Sequence, residues 1–257
     1  MINVTERPGA SWWALVRGMS AACWWRLLVV EVLLAVAGLA VTTVGWMLVG
    51  AGLPPVGYLV VLAAGGLAAA WKWSAALRIL DGGHGILPAL RPDPRRTGRL
   101  WLWLVALDLA GLMTLLEFVG GPLIYSLDLP TVLPAIELAS LYLAFAAALL
   151  PMAVLLEGRG FGRAWRLSHG GWRAVLRVLP VVLIGSAASS ALEQGQIGAI
   201  GSYPPPAYLL LLQPVAALIG ALLSTVTTVL LYAAYRLSAP HPATAEHQQA
   251  RTAGATV

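Results

Sequence analysis

Charge is what this sequence has least of. Aspartate, glutamate, lysine and arginine make up 11% of the chain and apolar residues 59%, where a soluble domain carries about 25% and about 45–50%. With a mean hydropathy of +0.80, that scarcity excludes an ordinary water-soluble globule and points to an integral membrane protein. Cysteine is nearly absent as well, and Cys23 alone excludes an internal disulfide and a Cys-rich metal site. Lysine occurs once, as Lys72, among sixteen basic residues. Arginine in place of lysine, with much Ala, Gly and Leu, is the usage of a high-GC bacterial genome.

Motifs for chemistry are missing too. His84, His169, His241 and His247 have no metal-ligand spacing and are separated by long apolar runs. There is no GxSxG or HExxH pattern, and "DGGHG" lacks the Lys-Ser/Thr of a phosphate loop. No metal, cofactor or catalytic residue is predicted, and the chain leans away from an enzyme. A net charge of +5 and a pI near 9.8 would suggest nucleic acid in a soluble protein. Here the cations flank apolar runs, so the predicted partner is anionic lipid rather than nucleic acid.

What the sequence does have is length in its apolar segments. A span needs about 20 mostly apolar residues, and six are predicted: 25–49, 56–80, 100–119, 132–156, 175–194 and 207–235. "GAGLPPVG" (50–57), "GGPLIYSLDLP" (120–130) and "GQIGAIGSYPPP" (195–206) mark breaks between them. Pro151, Pro180 and Pro214 fall inside spans and predict kinks. The first run is too long and too far from Met1 for a signal peptide. The fold class expected is therefore all-α integral membrane, one polytopic domain over 1–236 and a small, polar, disordered tail over 237–257.

The arginines orient that domain. All sixteen basic residues lie on one side or in the span ends facing it, and the three opposite loops hold none. By the positive-inside rule that side is the cytoplasm of a bacterial plasma membrane, with both termini inside.

One stretch, "VLLEGRGFGRAWRLSHGGWRAVLRVL" (154–179), carries five arginines between two apolar runs. At about 100° per residue, Arg163, Arg166, Gly170 and Arg173 share one fan and Phe161, Trp165, Ser168 and Trp172 the opposite one. This predicts an interfacial amphipathic helix, interrupted at Gly170-Gly171, with Arg163, Trp165, Arg166, Trp172 and Arg173 as lipid- or partner-contact residues. "SWWALVRGMSAACWWR" (11–26) predicts a similar interfacial helix ahead of the first span.

"ILDGGHGILPALR" (79–91) and "LLEGRGFGRAWR" (155–166) repeat one design, an acidic residue and a glycine at the end of an even span, with "WWALVR" (12–17) as a third copy. The chain so divides into three units of interfacial helix and hairpin. Gly82 and Gly158 suit helix C′ positions. The LEG-x-G-x-x-x-A-x-R pattern of Leu156 to Arg166, the following "WRAVLRVL", the "DG" at 81–82 and "LLYAAYR" at 230–236 resemble a large group of bacterial, often actinobacterial, polytopic membrane proteins. That group is similar to the membrane domain of some glycerophosphodiester phosphodiesterases. The resemblance implies membrane architecture and not phosphodiesterase activity, since a soluble catalytic barrel has no room here.

Three ionisable residues within predicted spans stand out as intramembrane charges: Glu31, Lys72 and Asp108. At about 1.5 Å per residue, Lys72 and Asp108 sit roughly 12–14 Å in from the same side, which allows a Lys72–Asp108 pair with Glu31 nearby. Glu117, Asp128, Glu137 and Glu193 lie toward the other side. The function expected is a non-enzymatic scaffold or accessory protein with a cytoplasmic-face lipid or partner contact. The alternatives are a permease subunit of an ABC-type exporter docked on an ATPase, and an intramembrane lipid-modifying enzyme whose carboxylates converge.

Overall fold

The computed structural model describes residues 11–110, 129–202 and 213–239. Among these residues all regular structure is helical: α1 (Trp12–Gly50), α2 (Pro54–Gly82), α3 (Ile86–Ala89), α4 (Pro94–Ala110), α5 (Leu129–Ala147), α6 (Leu150–Leu155), α7 (Phe161–His169), α8 (Trp172–Ser202) and α9 (Gln213–Ser238). Five segments are long and apolar enough to cross a membrane: Trp12–Gly45, Val56–Gly82, Glu137–Leu155, Trp172–Leu192 and Pro214–Ser238. The predicted span 100–119 is represented by α4 as far as Ala110, and its remainder lies outside the described residues. So do the loop 120–128, Glu117, Asp128, His241, His247 and the tail beyond Ala239.

Local chemistry explains the boundaries. Ser11 Oγ accepts from the Ala14 amide at 3.3 Å and opens α1; Asp93 Oδ1 accepts from the Arg95 amide at 3.1 Å and opens α4, with Pro94 at the first helical position. At the other end of α2 it is Gly83, at φ +61°, and not Gly82, that takes the left-handed cap. Gly158 takes the same conformation after α6, at φ +66°.

Several segments differ from the sequence expectation. α1 runs unbroken from Trp12 to Gly50, so the tryptophan-rich start is the first turns of one 39-residue helix rather than a separate interfacial element. No proline interrupts it, and the backbone stays helical through Gly18. The fourth span is two helices: the chain turns at Ala148–Leu149, and Pro151 starts α6 instead of kinking a continuous helix. Pro214 stands at the second residue of α9, while α8 continues through Pro180. α8 also continues to Ser202, through two thirds of the break predicted at 195–206.

α1 packs along α2 and α9, α8 along α9, and α2 along α4. α6 lies at the centre, with all six of its residues buried. One apolar cluster surrounds it (Leu77, Leu100, Val178, Tyr232 among others), and a second joins Cys23, Leu27 and Val30 of α1 to Ala75, Ala76 and Ile79 of α2. The outward faces carry Val36, Met47, Leu59, Leu138, Ile184 and Val226, all exposed. In water such a surface would aggregate; in lipid it is the solvated side.

α1 and α2 approach closely at Gly45. A Cβ there would run into the Val61 side chain and come within 3.1 Å of the Gly57 carbonyl. Gly65 has nothing within 4 Å of its Cβ position. Gly45→Ala should therefore cost about 1–3 kcal/mol by overpacking, while Gly65→Ala should be neutral or raise stability slightly through helix propensity. Denaturant melts of both variants in mixed micelles check the contrast; equal effects would rule out the close approach.

Candidate functional site

The candidate site begins with one lysine in an apolar helix. Lys72 lies roughly 15 Å along α2 from its Gly82 end, counting about 1.5 Å per residue, near the middle of a ~30 Å hydrocarbon core. Its partner is not Asp108. Glu31 Oε2 on α1 is 3.7 Å from Lys72 Nζ, and Glu31 is 4% exposed. Ser224 on α9 completes the group: Lys72 Nζ donates to Ser224 Oγ at 2.8 Å, and Ser224 Oγ donates to Glu31 Oε1 at 3.0 Å. The ammonium also lies 5.7 Å from the Trp73 ring centroid. Three helices thus share one charge-neutral group, which is how a membrane interior tolerates ions.

Two cavities meet at this group. One, of about 380 Å³, is bounded by Glu31, Lys72, Ser224 and small residues of α2 and α9. The other, of about 570 Å³, is bounded by α2, α4, α5, α6, α8 and α9, with Lys72 and Ser224 on its wall and Glu31 absent from it. Asp108 lines a third cavity beside Ser140 and has no hydrogen-bond or ion-pair partner among the described residues. Glu137 is exposed. Glu31, Asp108 and Glu137 therefore do not converge, as a carboxylate-based active site would require.

The basic end forms a second polar assembly. Many of its arginines are engaged by the protein's own backbone: Arg96 Nη1 donates to Leu155 O at 2.7 Å, Arg99 Nη1 to Gly158 O at 2.7 Å, Arg26 Nη1 to Gly83 O at 3.4 Å, and Arg78 to the Pro88 and Arg91 carbonyls. The acceptors at Leu155, Gly158 and Gly83 cluster where α6 and α2 end, so these cations satisfy terminal carbonyls and complement the helix dipoles.

The two acid-glycine repeats are bound by the last helix. Asp81 accepts from Tyr232 Oη at 2.8 Å and from Arg236 Nη1 at 3.2 Å. Glu157 accepts from Arg163 Nε at 2.6 Å, Arg163 Nη2 at 3.2 Å and Tyr235 Oη at 3.1 Å. These bonds from Glu157 hold Arg163 above even its ordinary high pKa. "YAAYR" places Tyr232, Tyr235 and Arg236 at the three- and four-residue intervals that share a helix face. Gly160 serves the same packing: a Cβ there would sit 3.1 Å from the Trp103 ring, which stacks on Phe161.

The five residues predicted as contacts are thereby divided. Arg163 faces Glu157 and is one-fifth exposed, away from the solvent-facing arginines. α7 buries Ala164, Leu167 and Ser168 against its neighbours, so Ser168 belongs to the packed face and not to a lipid face. Trp165 stacks on His169 with centroids 4.4 Å apart and meets the edge of Tyr142, so a half-buried His169 joins an aromatic cluster. Arg166 is exposed, its Nε on the Gly162 carbonyl. Trp172 is 68% exposed and Arg173 lies over its ring at 5.8 Å.

Sequence reading missed Ser224 and the tyrosine partners. Their signal is the spacing Gly220, Ser224, Thr228, Tyr232, Tyr235, Arg236, one face of α9 bearing every polar group of "LIGALLSTVTTVLLYAAYR" except Thr225 and Thr227. No family model, curated protein or solved structure matches the chain.

Removing the Glu157 carboxylate leaves Arg163 and Tyr235 without their acceptor. Glu157→Ala should cost about 2–3 kcal/mol and Tyr235→Phe about 1 kcal/mol, and Arg163→Lys should not restore the two-pronged contact. A double-mutant cycle between positions 157 and 163, read from unfolding in micelles, should give non-additivity above about 1 kcal/mol; additive losses would mean the pair contributes no coupling.

Proposed function

We propose that the chain is a multi-pass protein of a bacterial cytoplasmic membrane, both termini inside, acting as a non-enzymatic scaffold or accessory protein that grips anionic lipid through its basic face. The observation that carries this reading is the division among the arginines. Arg26, Arg78, Arg96, Arg99, Arg163 and Arg236 are bonded within the protein. Arg166, bonded only to the Gly162 carbonyl of its own helix, and Arg173 are exposed beside the large aromatics Trp165 and Trp172, the pairing that suits a headgroup boundary.

A second reading, the permease subunit of an ABC-type exporter, draws support from α3. Leu87 is 79% exposed there, on a loop fixed by Trp71 Nε1 donating to Leu90 O at 2.9 Å and by Arg78. A stable complex with an ATPase encoded beside this chain, dissolved by Leu87→Asp, would favour it.

The lipid reading is tested by melting in nanodiscs. Wild type should be stabilised by phosphatidylglycerol relative to phosphatidylcholine, and Arg166→Ala/Arg173→Ala should remove about 1 kcal/mol per arginine of that increment while leaving stability in neutral lipid unchanged. Arg163→Ala should lower stability equally in both lipids. Identical wild-type melts in the two lipids would overturn the reading.

A further inference from the structure

The Lys72 ammonium is not saturated. It has three N–H groups, one of which reaches Ser224 Oγ at 2.8 Å, while Glu31 at 3.7 Å attracts it without a close hydrogen bond. The surrounding space is uneven. Glu31 sits behind Lys72, against the smaller cavity, and among the described residues Lys72 is the only charged side chain on the wall of the larger one. On that wall Ser186, Ser189 and Thr227 present hydroxyls that make no hydrogen bond among the described residues. Apart from Trp73, Ser224 and Thr228, the rest of the lining is aliphatic, from Leu104, Val181 and Leu231 among others. A volume of about 570 Å³ falls within the ~300–1,000 Å³ of small-molecule sites and is too small for a whole two-chain phospholipid.

We propose that this cavity is an intramembrane binding site for a single-chain amphiphile with an anionic oxygen head, a carboxylate or a phosphate monoester. The head takes the free N–H groups of Lys72 and the hydroxyls of Ser186, Ser189 and Thr227, and the chain lies along the aliphatic wall. The sign of the charge follows from the geometry, since the cation faces the larger space and the carboxylate does not. Glu31 holds Lys72 in place and offsets its charge when the cavity is empty, and it opposes an incoming anion. Ser224, bonded to both, keeps the two side chains in register.

The test uses the full chain in a non-ionic detergent, with binding read by native mass spectrometry and by scintillation proximity with labelled palmitate. The competing probes are palmitoyl lysophosphatidate, hexadecanol and hexadecyltrimethylammonium. Palmitate and the lysophosphatidate should bind and displace each other, and whichever is tighter identifies the head. Hexadecanol and the ammonium should be at least tenfold weaker. Lys72→Met should weaken palmitate at least tenfold and Glu31→Gln should leave it equal or tighter. Because Lys72→Met leaves Glu31 alone in the bundle, a second variant guards against misfolding. A Cβ on Gly185 meets only Thr227 Oγ1 at 3.7 Å, so Gly185→Leu fills the cavity with the charge pair intact; it should abolish binding without lowering the melting temperature. Binding that is unchanged in Gly185→Leu, hexadecanol as tight as palmitate, a Glu31→Gln loss as large as that of Lys72→Met, or no binding by either anion would each overturn the proposal.

Discussion

Lipid offers no hydrogen bond, and that constraint organises every polar contact in this bundle. A group that cannot reach water must find its partner in the protein. At mid-depth Lys72, Ser224 and Glu31 find their partners in one another across α1, α2 and α9, with N–H groups of Lys72 left over. At the basic end the same demand falls on backbone carbonyls where helices stop, and Arg26, Arg96 and Arg99 meet it at Gly83, Leu155 and Gly158. The arginine belt is thus partly an internal capping system. It also explains how α6, only six residues long and wholly buried, can end inside the protein without orphaned acceptors.

α9 ties the two levels together. Its lower half gives Ser224 to the mid-depth group, and its last turns give Tyr232, Tyr235 and Arg236 to Asp81 and Glu157. One helix face thereby fixes its own axial position against α2 and against the α6–α7 turn. Apolar packing alone would specify that position weakly, because Ala- and Leu-rich faces slide over one another with little change in contact. Directional bonds at several heights remove that freedom.

The sequence made the heights legible and left the azimuths hidden. Counting along helices placed Lys72, Asp108 and Glu31 at similar depths, but depth cannot tell which of two carboxylates a lysine faces. Adjacency decides that: α1 packs against both α2 and α9 at this level and brings Glu31 to Lys72, while Asp108 looks into a gap beside Ser140. The helical wheel over 161–173 set arginines against aromatics, yet the face of α7 that packs is Ala164, Leu167 and Ser168, which that division does not single out. The acid-glycine repeat was visible as a pattern, and its partners were visible as "LLYAAYR"; their meeting needed the fold. Pro151 shows the opposite limit, since a proline predicts a disturbance but not whether the helix bends or restarts.

The mid-depth group is costly for stability alone. Insertion of one charge at a helix centre costs about 2.5–3.5 kcal/mol, and a buried ion pair is often no better than apolar residues of similar size. Here the cost is compounded, because two cavities flank the pair and their walls forgo dispersion contacts that leucines would make. Ala68, Ala69, Ala217 and Gly220 keep the smaller space open, and Gly185, Ser186 and Ser189 line the larger one. A bundle selected only to hold together would fill both and replace Lys72 with an aliphatic residue. Retaining an under-bonded ammonium beside open volume at one depth is the arrangement expected where a ligand, and not the protein, supplies the missing contacts.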